Sequence, residues 1–218
     1  MADQFVVEQV LKTLSERRKV FHSEADLQFA FAWTAQQLHP HVEVRLETHP
    51  EPKVRLDLQL SWPASGRGLA IELKYMTRRW EGEVGGESFA LKGHGAQDIR
   101  GYDVVKDVER VERFLGERPG WDGYVIVLSN DPSYWRPRVH TRKTNADAFR
   151  LREGMRLSGV RAWGPQTGAG TSRGREKPIA LRGDYTLNWK TFSKIEHPPT
   201  EFCSLVVAAT PPREPPWT

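Results

Sequence analysis

The chain has 218 residues, 38% of them hydrophobic, and a net charge of +4 at pH 7. This length and composition argue against a disordered chain and are typical of a globular domain with a sizeable core. The single cysteine, Cys203, excludes an internal disulfide and any all-cysteine metal or iron–sulfur site. No apolar run reaches membrane-spanning length, and the N-terminus lacks the basic and apolar regions of a signal peptide. We therefore expect a cytoplasmic protein with no membrane partner.

Two helices and a strand are predicted at the start of the chain. Apolar residues recur at helical spacing from about Phe5 to Arg18. A second helix is expected to begin after the N-cap Ser23 and to end at His39-Pro40. The alternating segment from Val42 to Glu47 predicts a strand that leads towards the next pair of strands.

A β-hairpin is predicted from two short alternating segments, Val54 to Leu60 and Leu69 to Tyr75. Turn residues fill the stretch between them, from Trp62 to Gly68. The alternation predicts that Val54, Leu56, Leu58 and Leu60 share one buried face of the first strand.

The register of this hairpin predicts a charged site. A turn centred between Ala64 and Ser65 sets Asp57 opposite Glu72, with their Cβ atoms about 5 Å apart. Lys74 follows on the same face. Because carboxylates this close repel each other unless a cation lies between them, the pattern predicts a divalent-metal site.

The middle of the chain follows the order strand, strand, helix, strand. A glycine-rich stretch from Thr77 to Gly95 is expected to be a mobile loop with a short strand at Phe89–Leu91. A long helix is predicted from Ala96 to Leu115, and the apolar run Tyr124–Leu128 predicts a central strand buried on both faces.

The C-terminal part carries weaker signals. We expect a loop from Gly164 to Lys177, alternating structure from Ile179 to Trp189 and a last strand at Leu205–Ala209. Residues 1–210 are assigned to one domain, with the core motifs in 20–130 and a C-terminal extension in 131–210; residues 211–218 are assigned to a proline-rich tail.

The order of acidic residues and elements resembles the PD-(D/E)xK nuclease superfamily. The matching residues are Glu24 on the early helix, Asp57 on one strand and Glu72-Leu73-Lys74 on the next, followed by a helix and a buried strand. Leu56 stands at the family's nominal proline position. The resemblance implies an α/β fold with a restriction-endonuclease-like core, a central mixed β-sheet flanked by helices. It also implies Mg²⁺-dependent hydrolysis of phosphodiester bonds, with DNA favoured over RNA.

The catalytic candidates are Asp57, Glu72 and Lys74. Two carboxylates are hard oxygen ligands suited to Mg²⁺ or Mn²⁺. Lys74 could orient the attacking water, act as a base or stabilise the charge that develops on phosphorus. The resemblance adds the carbonyl of Leu73 and the carboxylate of Glu24 as metal ligands. The structural alternative is a solvated cross-strand Glu-x-Lys pair, with Glu24 stabilised by the helix dipole.

The candidates for nucleic-acid binding lie outside these motifs. Two are at the start of the long helix and the others belong to a basic stretch, for which a solvated surface is the alternative. They are Gln97, Arg100, Arg136, Arg138, Arg142 and Lys143. The resemblance also allows a homodimer. The rival functions are a catalytically inactive nucleic-acid-binding or partner-binding module on the same fold, and a metal-dependent hydrolase of another phosphate ester.

Overall fold

A computed structural model of the chain describes residues 5–52, 54–137 and 142–209. The tail at 211–218 therefore lies outside the described residues. The helices are α1 (Val7–Arg17), α2 (Glu24–Leu38), α3 (Gln97–Leu115) and α4 (Ala169–Ser172). The strands are β1 (Glu43–Glu51), β2 (Val54–Trp62), β3 (Arg67–Met76), β4 (Trp80–Val84), β5 (Glu87–Leu91), β6 (Trp121–Ser129), β7 (Arg156–Arg161), β8 (Ile179–Thr186), β9 (Trp189–Ile195) and β10 (Thr200–Ala209).

Six strands form a central mixed sheet in the order β1-β2-β3-β6-β10-β9. β3 and β6 are parallel, and the other neighbours are antiparallel. A parallel pair requires a long crossover connection, and here that connection carries α3. Two further two-stranded sheets are formed by β4 with β5 and by β7 with β8. The predicted α/β class, with a mixed sheet flanked by helices, is confirmed.

The sheet separates two hydrophobic cores. One core contains buried residues of α1 and α2, with Phe21 and Phe31 among its largest side chains. The other contains the buried face of α3 and residues of β7 and β8, with Phe114 and Phe149 among its largest. No helix in the described part of the chain is long and apolar enough to span a membrane.

Two contacts fix α3 in the second core. At Gly101 a Cβ atom would lie 2.0 Å from the carbonyl oxygen of Phe149, so only glycine allows this close approach. Further along, the buried Glu112 carboxylate accepts hydrogen bonds from the N–H of Arg182, the N–H of Gly183 and the hydroxyl of Tyr185. The β7–β8 ribbon is thereby attached to α3.

The β2–β3 hairpin has the predicted register, but its ladder is short. Trp62 pairs with Arg67 and Leu58 with Ile71, where the ladder ends. The N-cap of α2 is also as predicted, because the Oγ of Ser23 accepts a hydrogen bond from the N–H of Asp26 at 3.2 Å.

The prediction that four apolar residues of β2 share one face is wrong. Val54 and Leu56 pack in the core with α3, whereas Leu58 and Leu60 pack in the core with α1 and α2. The strand therefore changes the face that it presents at Asp57. In β1, the residue between the partners of Leu56 and Leu58 is Glu47, whose φ of 52° lies in the left-handed region.

Two further expectations are wrong in part, although the short strand expected at Phe89–Leu91 is present as the end of β5 and β8 lies in the alternating segment. The stretch from Thr77 to Gly95 contains the β4–β5 hairpin, because Trp80 and Phe89 are buried in the core and the indole N–H of Trp80 donates to the carbonyl of Pro198 at 3.0 Å. The segment from Ile179 to Trp189 is not one strand. β8 pairs with β7, β9 pairs with β10, and the buried Leu187 lies between them.

Candidate functional site

A cleft of about 420 Å³ lies at the place where the β2–β3 ladder ends, and we name it the Asp57 cleft. Residues of β1, β2, β3, α2 and α3 contribute to its wall. Five carboxylates and five basic side chains face one another there, so the cleft has oxygens for a cation and cations for an anion. The lining residues are Glu24, Gln28, Glu47, Arg55, Asp57, Lys74, Arg100, Asp103, Lys106, Asp107 and Arg110.

Two carboxylates of the cleft bind the backbone on either side of Lys74. Asp57 Oδ2 accepts a hydrogen bond from the N–H of Leu73 at 2.8 Å, and Glu24 Oε2 accepts one from the N–H of Tyr75 at 2.8 Å. Beyond Ile71 the ladder with β2 no longer uses these amides. Side chains from β2 and α2 therefore replace the missing ladder bonds and converge on Lys74.

The ammonium of Lys74 is surrounded by oxygens. Its Nζ lies 3.3 Å from the carbonyl of Leu73, 3.7 Å from Asp57 Oδ2 and 3.1 Å from Asp107 Oδ2. Burial disfavours its charge, but the carboxylates of Asp107, Asp57 and Glu24 outweigh burial and hold the pKa of Lys74 well above its ordinary value. In this state Lys74 is a proton donor and a fixed positive charge rather than a base.

Glu72 lies behind the cleft rather than in its lining. The residue is 0% exposed and faces α3, where Arg110 Nη2 lies 2.7 Å from its Oε2 and Arg110 Nε donates to its Oε1 at 3.0 Å. Arg110 also bonds Asp107 Oδ1 at 2.7 Å. Burial, with the nearby carboxylates of Asp107 and Asp57, raises the pKa of Glu72 to about 9 even though Arg110 opposes the shift.

Two buried carboxylate oxygens in this group are incompletely satisfied. Glu72 Oε2 and Asp107 Oδ2 accept no well-formed hydrogen bond from any residue that the structure describes, although each has a cation within ion-pair distance. Burial also raises the pKa of Glu24, against the opposing effect of Lys74. The site thus has more buried carboxylate oxygens than hydrogen-bond donors that reach them with good geometry.

Asp107 and Arg110 were not identified from the sequence. Asp107 stands three residues after Val104 and four before Val111, both buried, so it lies on the core stripe of α3. An acidic residue on an apolar stripe is a signal that could have found it. Its contact with Lys74 depends on how α3 packs on β3, which the local pattern does not give.

The predicted nucleic-acid-binding residues are not brought together. Arg100 lines the Asp57 cleft, and its guanidinium forms no hydrogen bond or ion pair with residues in the described ranges. Gln97 instead donates to Asp131 Oδ2 at 3.3 Å. Arg136 lines a separate pocket with Arg78 and Lys194. Arg142 and Lys143 are exposed and belong to neither pocket, and Arg138 lies outside the described residues.

The donor groups of the Asp57 cleft bear on metal binding. Within residues 5–52, 54–137 and 142–209, no group of three or more His, Cys, Asp and Glu side chains is arranged to hold a metal ion. The donor chemistry nevertheless fits a hard cation, because Asp57 Oδ2 and the Leu73 carbonyl already surround the Lys74 ammonium.

Comparison of the chain with protein-family models, with curated proteins and with solved structures found no match.

Proposed function

We propose that the chain is a metal-dependent nuclease that hydrolyses phosphodiester bonds, in DNA rather than RNA, on a restriction-endonuclease-like core. The observation that carries the proposal is the attachment of Asp57 and Glu24 to the amides on either side of Lys74. Hydrolysis of a phosphodiester needs oxygen ligands for a divalent cation beside positive charges for the phosphate. Arg100 and Lys106 line the same cleft and have no ion pair within the described part of the chain.

The proposed ligands of Mg²⁺, or of Mn²⁺, are Asp57, Glu72, the Leu73 carbonyl and Glu24. When bound, such an ion polarises a phosphoryl oxygen and lowers the pKa of a coordinated water. Arg110 competes with a metal for the Glu72 side chain, because its Nη2 lies 2.7 Å from Glu72 Oε2. The homodimer that the resemblance allows stays a prediction.

Lys74 is proposed to act through its positive charge. Its pKa is raised, so it donates hydrogen bonds to a phosphoryl oxygen or to the attacking water rather than taking up a proton. Asp107 holds the ammonium at 3.1 Å and is a positioning residue in this scheme.

A second candidate function is a binding module without catalysis. The contacts Glu72–Arg110 and Lys74–Asp107 favour it, because they occupy two of the three proposed catalytic side chains within the protein. Buried ion pairs of this kind also occur as purely structural features.

A cleavage assay separates the two candidates. Single-stranded DNA, duplex DNA and RNA are incubated with the protein in Mg²⁺, Mn²⁺ or EDTA, beside Asp57→Asn and Lys74→Ala. The control is Asp103→Asn, which removes a carboxylate from the same cleft. We expect metal-dependent cutting that both site variants lose and the control keeps. Two results together would establish the binding module instead. Nucleic acid would bind without being cut under any condition, and calorimetry would show no heat of metal binding that Asp57→Asn abolishes.

A further inference from the structure

A second pocket, of about 430 Å³, adjoins the Asp57 cleft, and we name it the His94 pocket. Glu24 and Arg100 line both, so the two spaces share part of their wall. The His94 pocket lies between the N-terminal end of α2, at Ser23, and the end of the β4–β5 hairpin, at Leu91 and Lys92.

The charge of the His94 pocket differs from that of the cleft. Among the described residues that line it, the shared Glu24 is the only carboxylate, against the positive side chains of Lys92 and Arg100. Neither of these two cations forms an ion pair within the part of the chain that the structure describes. The pocket therefore favours an anion, whereas the cleft balances carboxylates against cations.

The contacts of His94 fix which of its nitrogens carries the proton. The N–H of Thr77 donates to His94 Nδ1 at 3.0 Å, and the Thr77 hydroxyl, which donates to the carbonyl of Lys92, lies 3.2 Å from the same nitrogen. Because a backbone N–H can only donate, Nδ1 is an acceptor. The N–H of His94 in turn donates to the carbonyl of Thr77 at 2.7 Å, which holds the backbone of His94 beside Thr77. Burial lowers the pKa of His94, and the positive charge of Arg100 adds to this. The neutral ring thus carries its proton on Nε2.

The Nε2–H group of His94 is a free donor, since no described residue accepts from it. The other histidine of the pocket differs, because His22 Nε2 lies 2.8 Å from Glu87 and its ring stacks on Phe89. Lys92 is held at its backbone, where its carbonyl accepts from the hydroxyl of Thr77 at 2.7 Å. Thr77 thus positions both Lys92 and His94 at one wall of the His94 pocket.

We propose that the His94 pocket binds the backbone phosphate next to the phosphate in the Asp57 cleft. Lys92 and the Nε2–H of His94 donate to this second phosphate, and Arg100 lies between the two. The proposal rests on the proposed function, because it assigns a nucleic-acid strand to the cleft. It makes the substrate a strand that continues past the cleft, rather than a small phosphate ester.

Binding measured without cleavage tests this subsite. In the Asp57→Asn protein with EDTA, fluorescence anisotropy gives the affinity for short labelled single-stranded DNA, duplex DNA and RNA over a series of salt concentrations. The variants are Lys92→Ala and His94→Asn. Asparagine keeps an acceptor near the position of Nδ1 and lacks Nε2. Lys12→Ala, an exposed lysine on α1, is the control.

The two variants have different expected signatures. Each weakens binding at low salt by about tenfold to a hundredfold, as expected for one hydrogen bond to a charged group. Lys92→Ala also reduces the slope of log K against log salt by about 0.7 to 0.9, because one fewer cation contacts phosphate. His94→Asn leaves the slope unchanged, since the ring is neutral. Lys12→Ala changes neither quantity.

The outcomes for the subsite and for the nuclease differ. Affinities and slopes of both pocket variants equal to those of the parent would overturn the subsite, even if the wild-type protein cuts DNA. The expected losses in a protein that never cuts would support the subsite and reject the nuclease. No binding of any of the three nucleic acids would overturn both. The nucleic acid to which Lys92→Ala and His94→Asn bind more weakly than the parent is the one whose backbone phosphate the His94 pocket binds.

Discussion

Asp57 Oδ2 accepts a hydrogen bond from the N–H of Leu73 at 2.8 Å, across the place where β2 separates from β3. A side chain thus takes the position that a backbone carbonyl would take in a regular ladder. The same oxygen lies 3.7 Å from Lys74 Nζ. One carboxylate therefore serves the sheet and the proposed site together, so variants at Asp57 must be compared for folding and for activity.

The first prediction separates these two roles. Asp57→Ala leaves the N–H of Leu73 without this acceptor, and we expect a loss of about 1–3 kcal/mol in the free energy of unfolding. Asp57→Asn retains an oxygen acceptor and is expected to be the more stable of the two variants, although both lose cleavage. Urea unfolding checks the comparison. Equal stabilities of the two variants would show that the bond to Leu73 contributes nothing.

The second prediction concerns the pH dependence of stability at Glu72. Its pKa in the folded protein is about 9, against an ordinary value of 4.5, so the folded state binds the proton more tightly than the unfolded state. Its contribution is therefore fully present below about 4.5 and is lost as the pH rises towards 9. Glu72→Gln removes this titration. The free energy of unfolding of the variant, relative to wild type, should rise with pH across that window.

Urea unfolding at several pH values gives this difference directly. Asp103→Asn, which removes a half-exposed carboxylate of the same cleft, is the matched control for the loss of a carboxylate. A relative stability that falls with pH would mean that the ion pair with Arg110 outweighs burial and keeps Glu72 charged.

The third prediction concerns the charge on Lys74. Asp107→Asn removes the carboxylate closest to its ammonium, so the pKa of Lys74 should fall while burial continues to disfavour the charge. NMR titration of the Lys74 side chain measures this pKa without any assay of activity. We also expect the cleavage rate at neutral pH to fall about tenfold or more, since a misplaced positive charge stabilises the transition state less well. An unchanged pKa would remove Asp107 as a positioning residue.

The fourth prediction tests the attachment of the β7–β8 ribbon. Glu112→Ala removes the acceptor of three hydrogen bonds, from Arg182, Gly183 and Tyr185, in a buried place. We expect the free energy of unfolding to fall by at least about 2 kcal/mol. Tyr185→Phe, which removes one donor, should cost less. Hydrogen exchange at Arg182 and Gly183 should accelerate in Glu112→Ala, and unchanged exchange would contradict the attachment.

Much of the fold could be predicted because local patterns and packing agree. Both early helices, the hairpin register and the buried strand β6 follow from spacing and caps. The change of face in β2 could not be predicted. Leu56 and Leu58 are both buried leucines, so alternation is the same whether they enter one core or two. The β4–β5 hairpin could not be predicted as a whole either, because Trp80 is held by a hydrogen bond to Pro198, which is distant in the sequence.

Part of the candidate site could also be predicted from the sequence, and part could not. The hairpin register predicted Asp57 and Lys74, and the resemblance to the nuclease superfamily added Glu24. The structure brings all three into one cleft. Register alone could not show that Glu72 faces α3 and pairs with Arg110, because that depends on the packing of a helix on β3. The role of the basic stretch from Arg136 onwards stays a prediction.

The bonds from Asp57 and Glu24 to the backbone also bear on the cost of binding. Each carboxylate uses one oxygen on an amide of β3, so its rotamer is set before any ligand arrives. A flexible acidic side chain would lose conformational entropy when it binds an ion or a water. This loss costs about 0.5–1.5 kcal/mol for each immobilised side chain. These two have already lost it during folding. Affinity at the Asp57 cleft is thus supported by preorganisation, and it should weaken wherever a distant substitution loosens the end of the β2–β3 ladder.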